Sequence, residues 1–337
     1  MAAPQPAMML PRELAHDTIA LNYKPTAKIH YTFAAGNAPE EQPRRLVVFL
    51  NGLMTDKSTW LPVMAGIIRS HRDNGFPSLL AYDRYGQGLT EDRDPLDSGA
   101  EKGRGHNVAD AVHDLHQLVT QVWTDKIGNS EAGLRLILVA NSIGCAIARL
   151  YAQRYPGRVE ALLLLDPMIA NSKFDWWPNP DSKDFDPEEI PVDVTVDVLR
   201  EQRTKFATFF APDVINKEGL DRRDLAELLP YSDRPILEAP QGLRPILTVV
   251  EHDPEQFASE SLKSMGTPIS LSMKYTNPLW HRYNQGLLQI TDPHLAVGPV
   301  VAKNCGHFVQ RDDPSFVIDQ LSSLLGRLVL QPPGVDV

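Results

Sequence analysis

Ser142 lies in the run from Leu136 to Ala148, where an apolar strand pattern passes abruptly into a helical one, with small residues two before and two after the serine. Small neighbours permit a sharp, strained turn. Such a turn lifts the hydroxyl above a sheet at a helix N-terminus, where the amide of Ile143 can point at a developing oxyanion. The pattern predicts a nucleophile elbow. A serine hydroxyl near its free pKa is a poor nucleophile and needs a base. Of the ten histidines, His307 stands in Asn304-Cys305-Gly306-His307-Phe308, after the last predicted strand and before a terminal helix over Pro314 to Leu328. The carboxyl end of a parallel strand is where α/β architectures place catalysts. His16, His30, His71, His106, His113, His116, His281 and His294 read as solvated imidazoles in loops or on helical and strand patterns.

A triad also needs a carboxylate that orients the imidazole and stabilises its charged form. Glu251-His252-Asp253-Pro254 follows the apolar run Pro245 to Val250 and lies between the serine and the histidine in sequence. Asp253 is the first choice, Glu251 the second, and Asp166, at the end of the preceding strand, the third. Asp166-Pro167 and Asp253-Pro254 also read as simple turn residues. A second oxyanion donor is expected from Asn51-Gly52-Leu53-Met54, where the glycine lets the backbone approach the nucleophile and leaves the amide of Leu53 free to donate. Trp60 is a pocket wall or, preferably, ordinary core.

These residues need a scaffold, and the apolar runs supply one. Arg45 to Leu50, Ser78 to Tyr82, Leu136 to Ala140, Ala161 to Leu165, Pro245 to Val250 and Pro299 to Ala302 read as strands buried on both faces. Helical period between most of them, as in Val108 to Val122 and Ile143 to Tyr155, predicts a mostly parallel sheet. Thr18 to Tyr23 and Lys28 to Phe33 read as an edge hairpin. From Met168 to Arg244 there is no strand signal, Pro and Asp are frequent, and Phe174, Trp176, Trp177, Phe206, Phe209 and Phe210 look exposed. That interval is expected to be a helical cap whose aromatics either form its own small core or line a substrate pocket. The expected organisation is a core over residues 13–167, a cap over 168–244 and a second core part over 245–330, with mobile Pro-rich ends at Met1 to Arg12 and Gln331 to Val337.

Composition bounds the function. The 337 residues are 42% hydrophobic and 23% charged, so a sizeable core is available and wholesale disorder is excluded. The net charge of −10 argues against a duplex nucleic-acid binder, which needs clustered Lys and Arg to displace counterions. No run approaches the roughly 18 apolar residues of a membrane span, and the start lacks a signal-peptide profile. Two cysteines, Cys145 and Cys305, make neither a disulfide framework nor a four-thiolate zinc site, and there is no Asn-x-Ser/Thr acceptor. A cytoplasmic location is expected. The cysteines read as small buried fillers, or as a redox pair only if their Cα atoms approach within about 7 Å. Gly86-x-Gly88 lacks the third glycine of a dinucleotide loop, and no cofactor is expected.

Taken together the chain resembles the α/β-hydrolase superfamily from Leu46 to Leu328. The likeness rests on Asn51-Gly52-Leu53 where the family usually has His-Gly, Tyr82 to Thr90 for its Asp-x-x-Gly-x-Gly-x-Ser turn, the elbow at Ser142, and Gly306-His307-Phe308. The resemblance implies an eight-stranded sheet, a lid inserted after the sixth strand, nucleophile Ser142, base His307, acid Asp253, and oxyanion amides at Leu53 and Ile143. Three features depart from the family pattern: Ala140-Asn141-Ser142 for Gly-His-Ser, Asn51 for His, and Glu251 near the place of the glycine before the acid loop. The segment after Pro254 is long for the family, and Trp280 to Gln285 within it reads as a helix bordering the pocket. With no Asp at the elbow, dehalogenase and epoxide-hydrolase chemistry is disfavoured. The expectation is a serine hydrolase acting on an ester, lactone or thioester of a small, apolar molecule, with Trp176, Trp177 and Trp280 as further candidate contacts. Alternatives are an acyl transferase or lactone-forming enzyme on the same triad, a small-molecule receptor, and cofactor-free oxidation or carbon–carbon cleavage.

Overall fold

Alternation along the apolar runs sorts their side chains onto two faces of one sheet. In β3 (Leu46–Leu50), β5 (Leu136–Ser142) and β6 (Val159–Pro167), Leu46, Val48, Leu50, Leu138 and Leu164 pack into one layer, whereas Val47, Phe49, Val139 and Leu163 pack into the other. Both faces are covered, as period-two residues on a parallel sheet require. The computed structural model describes residues 11–53, 55–128, 130–172 and 175–330. Met54, Phe174, residues 331–337 and all but Pro11 and Arg12 of the amino-terminal end expected to be mobile lie outside the described residues.

The sheet has eight strands. β1 (Ala15–Leu21) and β2 (Lys24–Ala34) form the expected hairpin at one edge, followed by β4 (Ser78–Tyr82), β3, β5, β6, β7 (Ile246–His252) and β8 (Ala296–Ala302). The pairings β1 with β2 and β2 with β4 are antiparallel, and all others are parallel. Helices α2 (Val108–Val122) and α3 (Ile143–Arg154) cover the first layer, and α1 (Leu61–Ser70) with α7 (Pro314–Leu330) cover the second. The carboxyl ends of β3, β5, β6 and β7 therefore open on the same rim, where this architecture places chemistry.

Two expectations need correction. β8 was expected to be buried on both faces, but it is the outer strand beyond β7 and is largely part-exposed, with Pro299 inside it. Proline lacks the ladder donor and is tolerated at an edge. The excursion between β6 and β7 is less helical than expected, since its one long helix is α4 (Val196–Phe210). Pro178, Pro180, Pro187 and Pro191 precede it, and each removes an amide donor that a helix interior would need. The interval also holds a two-residue strand, Leu220–Asp221, paired in parallel with His106–Asn107. After β7 the chain forms α5 (Pro254–Met265) and α6 (Asn277–Leu287), the second of which contains the helix read from Trp280 to Gln285. Among the described residues no helix is long and apolar enough to cross a membrane.

Candidate active site

Ser142 ends β5 and begins α3 with φ 56° and ψ −123°, a left-handed conformation that a side chain adopts only under constraint. Gly144, two residues on, allows the close approach that goes with this turn. A Cβ on that residue would lie 2.5 Å from the carbonyl oxygen of Leu50 and 2.9 Å from that of Asn51, so only glycine lets α3 start hard against the end of β3. The same packing brings the loop after β3 to the serine: a Cβ on Gly52 would stand 3.3 Å from Cβ of Ser142.

The loop is held from below. Arg84 donates to the carbonyls of Asn51 at 2.8 Å and Gly52 at 2.9 Å, and Gln87 donates to Gly52 O at 3.0 Å. Glu218, from the excursion, accepts from Arg84 at 2.9 Å and from Gln87 at 2.9 Å, all in buried surroundings. Because the Gly52 carbonyl points into this cluster, the N–H of Leu53 on the same peptide plane points the opposite way. Asn51 stands in for the familiar histidine by donating to Tyr82 O at 2.9 Å and to Gln87 Oε1 at 2.8 Å. Trp60 is wholly buried and donates to Asn51 Oδ1 at 2.9 Å, so it braces the loop from the core and is no pocket wall.

His307 reaches the same rim. Its Nδ1 lies 2.6 Å from Oδ2 of Asp166, which is fully buried at the end of β6 with φ 44°. Asn141, next to the serine, donates to the His307 carbonyl at 2.9 Å and to Leu165 O at 3.0 Å, tying the histidine loop to β5 and β6. The departure from Gly-His-Ser at the elbow thus has a structural use. Among the described residues the Ser142 hydroxyl makes no hydrogen bond, to His307 or otherwise. In empty sites such contacts are commonly long and tighten with substrate.

The carboxylate beside His307 is therefore not Asp253. Asp253 caps α5, accepting from the amides of Glu255 at 3.0 Å and Gln256 at 3.3 Å, and its other oxygen accepts from Asn304 N at 3.0 Å. The bond from Asn304, with the two helix amides, holds its carboxyl below the usual range. Glu251 is paired with His281 Nδ1 at 2.9 Å, and His281 itself is exposed, as expected. Asp166, the third choice, is where the geometry converges.

A residue the sequence reading passed over completes the centre. His252, the last residue of β7, places Nδ1 2.8 Å from Oδ1 of Asp166 and donates its backbone N–H to the same oxygen at 3.2 Å. Burial pushes the Asp166 carboxyl up, but the His252 and His307 imidazoles outweigh it and hold the group at about 2. Burial works against a charge on His252, and Asp166 more than offsets it, so His252 is raised above the ordinary imidazole value. Its position at a strand end, on the rim that carries Ser142 and Asp166, was the available signal.

Of the tryptophans, Trp280 reaches the site: its ring lies 5.5 Å from that of His307 and 5.2 Å from that of His252, and its Nε1 donates to Pro167 O at 2.7 Å. Trp176 packs edge-on against Trp280 at 5.5 Å. Trp177 turns away into a separate cluster with Val194, Leu199 and Leu271. Cys145 and Cys305 are buried on opposite layers of the sheet, as fillers.

The description "Alpha/beta hydrolase family" belongs to the family model that matches residues 47–320, well over half the chain. The chain belongs to the alpha/beta hydrolase family. No curated protein matches this alpha/beta hydrolase in sequence. Among solved structures it is similar to an epoxide hydrolase from Vigna radiata, at 14% identity and TM-score 0.53, covering 94% of this chain and 98% of that one. A mutant epoxide hydrolase from the same organism matches at 16% identity and TM-score 0.54, covering 94% and 99%. A bacterial membrane phospholipase A matches at 16% identity and TM-score 0.49, covering 95% and 88%. At these identities the likeness to the two epoxide hydrolases is one of fold alone.

Proposed function

We propose that this alpha/beta hydrolase is a serine hydrolase in which Ser142 attacks an ester, lactone or thioester carbonyl. His307 takes the serine proton and returns it to the leaving group, and Asp166 is the acid in place of Asp253. The amides of Leu53 and Ile143 receive the oxyanion, and water resolves the acyl-enzyme. The observation that carries this reading is the 2.6 Å contact between Asp166 and His307 Nδ1, bonded through Asn141 to the elbow that presents Ser142. With Nδ1 donating to a buried carboxylate, the ring's free lone pair is on Nε2, the atom a general base uses.

The excursion over residues 168–245 acts in this reading as the cap. It bears on both halves of the site, through Trp176 against Trp280 on the histidine side and through Glu218 on Arg84 beneath the oxyanion loop. Trp176 and Trp280 favour a small apolar acyl or alcohol part. The elbow holds serine, which separates this chain from carboxylate-nucleophile chemistry.

The deciding experiment is labelling with a fluorophosphonate probe and peptide mass spectrometry. An adduct on Ser142, lost in Ser142→Ala and His307→Ala, is the expected result. Absence of the adduct in folded protein, at probe concentrations that label a control serine esterase, overturns the reading.

A further inference from the structure

Both ring nitrogens of His252 face hydrogen-bond acceptors. Nδ1 meets Asp166 Oδ1 at 2.8 Å, and Nε2 meets Asn277 Oδ1 at 3.3 Å. The amide of Asn277 cannot turn round to offer a donor, because its Nδ2 is already committed to Pro254 O at 3.0 Å and Met273 Sδ at 3.3 Å. A neutral imidazole has one donor and one lone pair, so in either tautomer it would set a lone pair against an acceptor. Only the doubly protonated ring satisfies both contacts. The surroundings suit a cation: Phe257 stacks on the ring at 4.2 Å and 20°, and Trp280 stands at right angles to it at 5.2 Å. The side chain is not needed to place the carboxylate, since the backbone N–H of His252 already bonds Asp166 Oδ1.

We propose that His252 is a resident imidazolium that shares the Asp166 carboxylate with His307 and so takes up part of the negative charge that faces the His307 ring. His252 is then a positioning residue, acting on the reaction only through Asp166. The inference rests on the Ser142, His307 and Asp166 reading given above. The other groups around it fit. Glu251 on the same strand adds negative charge but is engaged by His281, Asp253 beyond it is spent on the α5 amides, and Ala302 is its strand neighbour in β8. The Cys145 thiol, on the α3 side of Asp166, stays protonated because burial and Asp166 push it well up.

Histidine-selective ¹⁵N labelling of the full chain reads the protonation state directly. The expected spectrum has one imidazole, absent in His252→Gln, with both nitrogens still protonated above the ordinary imidazole pKa. The companion measurement is the acid limb of kcat/KM on p-nitrophenyl butyrate. In His252→Gln, which removes the cation and keeps a side-chain donor, the limb moves to higher pH. A His252 ring with a single protonated nitrogen at neutral pH, or an unmoved acid limb in folded His252→Gln, overturns the proposal. Should the variant fail to fold, the wild-type ring is identified through Asn277→Ala, and its protonation state decides alone. Failure is distinguishable from that of the hydrolase reading: a neutral His252 beside a labelled Ser142 removes only this proposal, and an unlabelled Ser142 removes the triad and with it the tuning role.

Discussion

His307 is bonded to a carboxylate 141 residues earlier in the chain, Asp166 on β6, while Asp253, far closer in sequence, is occupied at the start of α5. The contact makes a sharp prediction about two aspartates that look alike in sequence. Asp166→Asn lowers kcat on p-nitrophenyl butyrate by about ten-thousand-fold, because the amide no longer enforces the tautomer or balances the imidazolium. Asp253→Ala leaves kcat within a few-fold and costs about 1 kcal/mol of stability through the lost cap. Activity and urea unfolding of both variants check the pair. Comparable loss of activity in Asp253→Ala, with Asp166→Asn active, would return the acid to the start of α5.

Acid stability tests the same carboxylate through linkage. The folded Asp166 carboxyl is held at about 2, below the value of about 4 for an unfolded aspartate, so its contribution is present above pH 4 and lost as pH falls through 2. Between those limits wild type loses roughly 2 kcal/mol that Asp166→Asn does not lose. Thermal unfolding of both proteins across this window should therefore show their difference shrinking as pH falls. A difference that stays constant contradicts the assignment.

Beneath the oxyanion loop, Glu218→Gln removes the charge that balances Arg84. The buried guanidinium is left uncompensated at a cost of about 3 kcal/mol, and its grip on the Gly52 carbonyl loosens. The Leu53 amide then loses its fixed direction, and kcat falls by about 10- to 100-fold with KM nearly unchanged. A rise in KM alone would show that Glu218 serves substrate binding from the excursion and not the loop.

Gly144→Ala is expected to damage the elbow without touching any reacting group. The added methyl would sit 2.5 Å from Leu50 O, and the backbone there has nothing flexible to move. The variant should lose about 2 kcal/mol or more of stability together with fluorophosphonate labelling of Ser142. Normal labelling at normal melting temperature would mean that α3 can slide.

What could be read in the sequence was whatever local chemistry decides. The elbow is a strand, a serine and a helix within a dozen residues, and Gly144 announces it. The hairpin and the sheet strands, apart from the exposure of β8, follow from apolar runs and their spacing. The acid was not local. Asp166 and Asp253 each precede proline at a strand end, and only the register that sets Ser142 beside Pro167 brings one of them under the histidine. His252 was hidden for the same reason, since its meaning lies in a carboxylate on the neighbouring strand. Trp60 and Trp280 are both buried indoles with hydrogen-bonded Nε1, and no pattern in their neighbours tells the brace from the site wall. The excursion looked helical because its strand signals were missing, but its prolines withhold helix donors as well.

Ser142 and Asp166 are carried by adjacent strands joined through α3, and the register between those strands is set before the chain departs at residue 168. The proposed nucleophile and acid thus belong to one strand–helix–strand module, to which His307 is added from downstream. The interval over residues 168–245 is built into the body that carries this module, since Ile169, Leu220, Leu225, Leu229 and Leu237 pack into the core with α2 and α3, and Arg149 of α3 donates to Tyr231 O at 2.7 Å. A substitution in the excursion is therefore expected to be felt as a change in folding stability as well as at the rim, unless it spares these core contacts.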